Sequence, residues 1–117
     1  MKYFKLEEFE SPNSPGSGEE MKQLFLNKLD VARGYAGIPF IINSGFRTVD
    51  HNVSVKGSLN SSHLRGYAAD IHCLDSRSRK IIVNALINAG LNRIGIAKTF
   101  IHVDCDPEKS QDVIWLY

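Results

Sequence analysis

Apolar residues recur at helical spacing from Met21 through Leu24, Phe25 and Leu29 to Ala32, one stripe interrupted by the stem of Lys28. Ser17 with Glu20 three positions on has the form of a capping box at the start of this helix, and Gly37 and Pro39 close it. A second helical pattern carries Ile81, Ile82, Ala85, Leu86 and Ile87; it follows a cap at Asp75 or Ser76 and ends near Gly90. Short apolar runs of strand length occupy Pro39–Ser44 (PFIINS), Tyr67–Cys73 (YAADIHC), Arg93–Ala97 (RIGIA), Thr99–Cys105 (TFIHVDC) and Val113–Leu116 (VIWL). Residues 1–10 offer one short turn or strand anchored by Phe4, Leu6 and Phe9. Ser11–Gly18 is a turn-rich connector, and Val49–Ser62 reads as a polar loop with Gly57 at its middle. Two main helices and short strands with short connections predict an α+β fold, a small single domain over residues 1–117 with a mostly antiparallel sheet.

A chain of 117 residues supports one core. Its net charge of +1 supplies no field that would gather nucleic acid or an anionic membrane, and Arg77–Lys80 is read as a solvated helix face. No run of eighteen apolar residues exists, which argues against membrane insertion. The stretch Met1–Glu10 is acidic and broken, unlike a secretion signal. Two cysteines, Cys73 and Cys105, are too few for a disulfide scaffold and are expected as buried free thiols.

The chemistry sits where polar residues break the apolar strand runs. Asp70 interrupts Tyr67–Ile71, and His102 stands between Ile101 and Val103. Each is costly to bury without a partner. Strand alternation puts Ala68, Asp70 and His72 on one face, and Phe100, His102 and Asp104 on one face of the other strand. Pairing these strands joins Asp70 to His102, while His63 arrives from the loop. A shared metal ion and a buried Asp–His hydrogen bond both satisfy this arrangement. The donor set suits zinc: three protein ligands leave a fourth position for water, and the residual charge lowers that water's pKa and polarises a carbonyl.

Ser61, His63, Gly66, Ala68 and Asp70 resemble, position for position, the Ser-x-His-x-x-Gly-x-Ala-x-Asp motif of the M15-type zinc D-Ala-D-Ala carboxypeptidases, which are related to some phage endolysins. His102 matches the third metal ligand of that family, and Ser44-Gly45-Phe46-Arg47 is similar to its upstream Ser-Gly-Tyr/Phe-Arg element. The resemblance runs from about Phe4 to Tyr117. It implies a hedgehog/DD-peptidase-like fold, a Zn²⁺ cofactor held by His63, Asp70 and His102, and an Arg47 that faces the substrate and its developing oxyanion.

One position departs from the family pattern. The carboxylate that takes the water proton commonly lies three residues before the last histidine ligand, and Thr99 stands there. Asp104 is the preferred substitute, with the alternative that it only orients a ligand histidine. His72 is a second candidate, and Asp106 is read as a solvated turn residue. Ser61, His51 and Arg47 are expected to bind substrate, Arg47 as a planar clamp on an oxyanion or a carboxylate; Lys56 is the alternative partner for a free terminal carboxylate. Trp115 and Tyr117 are expected to pack the core or its rim.

The resulting expectation is a monomeric zinc peptidase acting on a peptidoglycan peptide at a bond next to a D-amino acid. The scissile bond is a terminal D-Ala-D-Ala or an L-Ala-D-Glu type linkage. Absence of a signal peptide suits an enzyme made in the cytoplasm that reaches the cell wall after phage-type release, or a cytoplasmic muropeptide hydrolase. The alternatives are a zinc-containing module that binds wall peptides without cutting them, and a structural protein that keeps zinc for stability.

Overall fold

The computed structural model describes residues 1–117. Strands β1 (Ile42–Ser44), β2 (Ala68–His72), β3 (Arg93–Ile96), β4 (Phe100–Asp104) and β5 (Val113–Leu116) form one sheet in the order β1-β2-β4-β3-β5. The pairings β1–β2, β2–β4 and β3–β4 are antiparallel, and β3–β5 is parallel. The sheet is therefore mixed, and the expected α+β architecture holds.

Two long helices cover one face of this sheet. Helix α1 (Gln23–Ala36) buries Phe25, Leu26, Leu29 and Ala32, and ends on Gly37 in the left-handed conformation with φ 67°. A six-residue helix α2 (Val49–Ser54) follows β1, and helix α3 (Ser76–Asn88) buries Ile82, Ala85 and Leu86. Ile71, Ile94, Ile101 and Val103 meet the long helices and are inaccessible to solvent. Alternation sends their neighbours Asp70, His102 and Asp104 to the opposite face, where the polar site is built.

Several local expectations need correction. Ser17 does not cap α1: residues Ser17–Glu20 form a separate 3₁₀ turn, the Ser17 Oγ accepts from the Ser11 amide at 2.9 Å, and α1 starts at Gln23. Leu24 and Ile87 lie on exposed helix faces, at 61% and 50% exposure, because the buried stripe of each helix is narrower than its run of apolar residues. The polar stretch after Val49 contains α2, capped by Thr48, whose Oγ1 accepts from the His51 amide at 3.1 Å. Cys73 is buried as expected but Cys105 is half-buried, and both are free thiols.

The N-terminal segment takes part in building the site. Phe4 and Phe9 are buried edge to face with centroids 5.2 Å apart, and the Phe9 carbonyl accepts from the Phe46 amide at 2.8 Å. A Cβ on Gly45 would stand 2.7 Å from the Phe9 Cα, so only glycine lets this segment close on the end of β1. That contact fixes the backbone immediately before Arg47.

Candidate metal centre

Each donor comes from a different kind of local structure. His63 lies on a 3₁₀ turn, Ser62–Arg65, whose first amide groups are capped by Ser61: its Oγ accepts from the His63 amide at 3.2 Å. Gly66 ends the turn in the left-handed conformation at φ 76°, which lets the chain swing directly into β2. Asp70 and His102 are cross-strand partners on β2 and β4. His63, Asp70 and His102 are all buried, and one ligand atom from each lies within 4.8 Å of the others.

The hydrogen bonds select which imidazole nitrogens face the site. His63 donates from Nδ1 to the Gly45 carbonyl at 2.7 Å, leaving the Nε2 lone pair free for a ligand. His102 donates from Nε2 to the Asp104 carboxylate at 2.7 Å, leaving Nδ1. His102 Nδ1 and His63 Nε2 then stand 3.0 and 3.3 Å from the same oxygen, Asp70 Oδ1. Two oriented lone pairs and a carboxylate converging on one point fit a divalent ion of borderline softness. When protons rather than an ion occupy those two nitrogens they donate to Asp70; burial pushes its carboxyl up, but these hydrogen bonds with His102 and His63 outweigh it and hold the group well below the usual carboxylate range. Burial likewise lowers His102, and its bonds to Asp104 and Asp70 reverse the sign, leaving it above its ordinary value.

Arg47 is tied to three acceptors: Ser44 Oγ at 3.0 Å, Asn52 Oδ1 at 3.3 Å and Asp70 Oδ2 at 3.3 Å. Its backbone amide also donates to the His63 carbonyl at 3.1 Å. The guanidinium is thus aimed into a cavity of about 330 Å³ lined also by Lys56, Ser61, His63, Asp70 and His102. A second hollow of about 410 Å³, on the side of Tyr67 and Phe46, holds none of the three donors.

The remaining sequence candidates divide. Asp104 lies beneath His102, 1% exposed; its Oδ1 accepts from Arg93 Nε at 2.7 Å and from the Asp106 amide at 3.0 Å. His72 is exposed at the end of β2 and lines a different hollow, with Ile38 and Pro39. His51 sits on α2 outside the cavity lining. Asp106 is not a solvated turn residue: it is fully buried, accepting from Ser62 Oγ at 2.7 Å, from the Glu108 amide at 3.1 Å and from Arg65. Cys105 offers no thiolate, since burial pushes its thiol up to about 11.

Three contributors escaped the sequence reading. Arg93 is a buried cation that braces Asp104; from sequence it is only the first residue of a strand run. Asn52 is buried and donates from Nδ2 to the Ser58 carbonyl at 2.9 Å, so it holds both Arg47 and the turn beside the cavity. Trp115 contributes to the cavity wall rather than to the core. Only Asn52 had a signal, an amide inside a stretch of turn residues, and that signal is common in ordinary loops.

No helix is long and apolar enough to cross a membrane. A search among curated proteins finds no match. A family model described as Peptidase M15 matches residues 2–105, a span that contains all three converging donors together with Arg47 and Asp104. With a match over most of its length and the donor set of a metallopeptidase in its cavity, the chain belongs to the peptidase M15 family.

Proposed function

We propose that this protein is a zinc-dependent peptidase that hydrolyses an amide bond next to a D-amino acid in peptidoglycan stem peptides. The observation that carries the reading is the convergence of His63 Nε2, Asp70 Oδ1 and His102 Nδ1 beside a tethered Arg47. The D-amino acid and wall-peptide specificity rests on the likeness of Ser61–Asp70 and Ser44–Arg47 to the zinc D-Ala-D-Ala carboxypeptidases.

His63, Asp70 and His102 would hold the zinc ion, which supplies Lewis-acid polarisation of the scissile carbonyl and a more acidic water. Arg47 stabilises negative charge growing on the carbonyl oxygen, and its three acceptors hold it in place before substrate arrives. The Gly45 carbonyl and the Asp104 carboxylate keep the two imidazoles in the tautomers that face the ion. We assign Asp104 to this orienting task in place of the proton-accepting one, because Arg93, His102 and the Asp106 amide already occupy its oxygens. His72 has no part in the mechanism, since it lies outside the cavity.

One observation favours a second reading. Both carboxylates of the cavity, Asp70 and Asp104, are committed to partners, as a module that binds wall peptides without cutting them would allow. Mass spectrometry of purified muropeptides incubated with and without a chelator decides between the two. A chelator-sensitive product establishes the peptidase, and its mass identifies the bond cut. Intact muropeptides in the presence of a fully zinc-loaded chain overturn the peptidase reading and shift the weight to the binding module.

Arg47→Lys tests the oxyanion role. An ammonium cannot reproduce the planar fork that reaches Ser44, Asn52 and Asp70 together. The expected result is a loss of about 100-fold in kcat with zinc content unchanged. Turnover at the wild-type rate would remove Arg47 from the chemistry.

A further inference from the structure

One transverse row of the sheet runs through the site: Ser44 is paired with Asp70, Asp70 with His102, His102 with Gly95, and Gly95 with Trp115. Gly95 is the one member without a side chain. Its backbone is not in the left-handed region, so conformation does not demand glycine there; space does. A Cβ at position 95 would stand 2.6 Å from Trp115 Nε1 and 2.7 Å from Tyr117 Cε2. The indole therefore leans over β3 through the gap that Gly95 leaves and reaches His102, with ring centroids 5.5 Å apart at 49°.

Arg93 connects the two supports of that histidine. Its guanidinium lies 5.0 Å from the Trp115 ring centroid, while its Nε donates to Asp104 at 2.7 Å. Asp104 in turn accepts from His102 Nε2. A hydrogen bond at the far end of an imidazole fixes its tautomer but leaves the ring free to tilt about that bond. A flat apolar surface against the ring restricts the tilt, and the tilt sets where the Nδ1 lone pair points.

We propose that Trp115, admitted by Gly95, is a positioning residue that sets the plane of His102 and thereby the geometry of the metal site. The inference rests on the metal-binding reading above. Trp115 also lies beyond residues 2–105, the span that the family model matches, so this support is supplied by the chain's last strand.

Cobalt(II) titration of the metal-free protein provides the test, because the visible absorption of bound cobalt reports the arrangement of its ligands. Trp115→Leu should shift that spectrum and weaken zinc binding about tenfold in chelator competition. Trp115→Phe, which keeps a flat ring, should restore most of both. Gly95→Ala should resemble Trp115→Leu although it leaves the indole in the chain. Trp115 is the only tryptophan, so its emission in the wild-type protein should also change on zinc addition and saturate at one ion per chain. A folded Trp115→Leu protein with the wild-type cobalt spectrum and zinc affinity overturns this inference alone. A wild-type chain that takes up neither ion overturns the metal reading and this inference with it. If Trp115→Leu does not fold, an unshifted spectrum in Gly95→Ala overturns the inference in its place.

Discussion

Alanine in place of Asp70 should leave a folded protein that no longer retains zinc, with hydrolysis falling to background. Asp70 contributes the only carboxylate of the donor set and is the residue on which both imidazoles converge. Two neutral histidines without it form an incomplete site, one ligand short of the three that catalytic zinc sites keep. The loss in affinity should exceed the roughly 100-fold that removal of a supporting partner costs. Asp70 also balances Arg47 at 3.3 Å, so its removal leaves that guanidinium without its anion at the cavity wall. Equilibrium dialysis followed by elemental analysis would read the effect directly. Zinc retained at one ion per chain by Asp70→Ala would eliminate the proposed donor set.

Asp106→Ala should be the most damaging substitution for stability among the polar residues around the site. Asp106 is fully buried and ties together segments far apart in sequence: Ser62 Oγ donates to it across 44 positions and Arg65 across 41. It therefore clamps the turn that carries His63 against the chain leaving β4. Removing the carboxylate leaves a buried hydroxyl and a half-buried guanidinium without their acceptor. Breaking such a pair costs about 3 kcal/mol, equivalent to a fall of roughly 10 °C in Tm for a chain of this size.

The pH dependence of that loss has a definite sign. Burial raises the Asp106 carboxyl, but hydrogen bonds from Ser62, the Glu108 amide and Arg65 outweigh it and hold the group below its ordinary value of 3.8. A carboxyl depressed in the folded state contributes its full stability above its unfolded pKa and loses it as pH falls through the folded value. The gap between wild type and Asp106→Ala should thus be constant from neutral pH into the weakly acidic range. It should narrow only below 3.8. Urea melts at pH 7 and pH 3 would show it, and an equal gap at both would mean that charge on Asp106 contributes nothing.

The site shows how unevenly sequence reports chemistry. Asp70 and His102 were legible because each breaks an apolar strand run, and alternation alone places both on the face opposite Ile71 and Ile101. Gly66 was legible only as a member of the matched motif, and its φ of 76° shows why glycine stands there: the chain turns between His63 and the strand. Asp104 shares the face of His102, so sequence put it at the site. Its task depends on Arg93, a residue eleven positions earlier on a neighbouring strand, and no local pattern announces that pairing. Asp106 looked like an ordinary turn residue because Asp-Pro is a common turn dipeptide; its burial comes from Ser62 and Arg65 folding over it.

The pattern of apolar and polar positions by itself determined the α+β class, the two long helices, the approximate strands and the face on which Asp70 and His102 lie, since each follows from periods of 3.6 or 2 residues within one segment. Short spacings brought His63, Asp70 and His102 together, and the resemblance to the family motif added Arg47. Only the tertiary structure decided which nitrogen of each histidine faces Asp70, what Asp104 and Asp106 bind, that His72 and His51 stand outside the cavity, and that Trp115 reaches His102 across Gly95. Most of these contacts join different segments of the chain, from eleven to 44 positions apart. Hydrogen-bond direction and close packing act over a few ångströms in space, and a linear sequence does not record which distant groups come within that range.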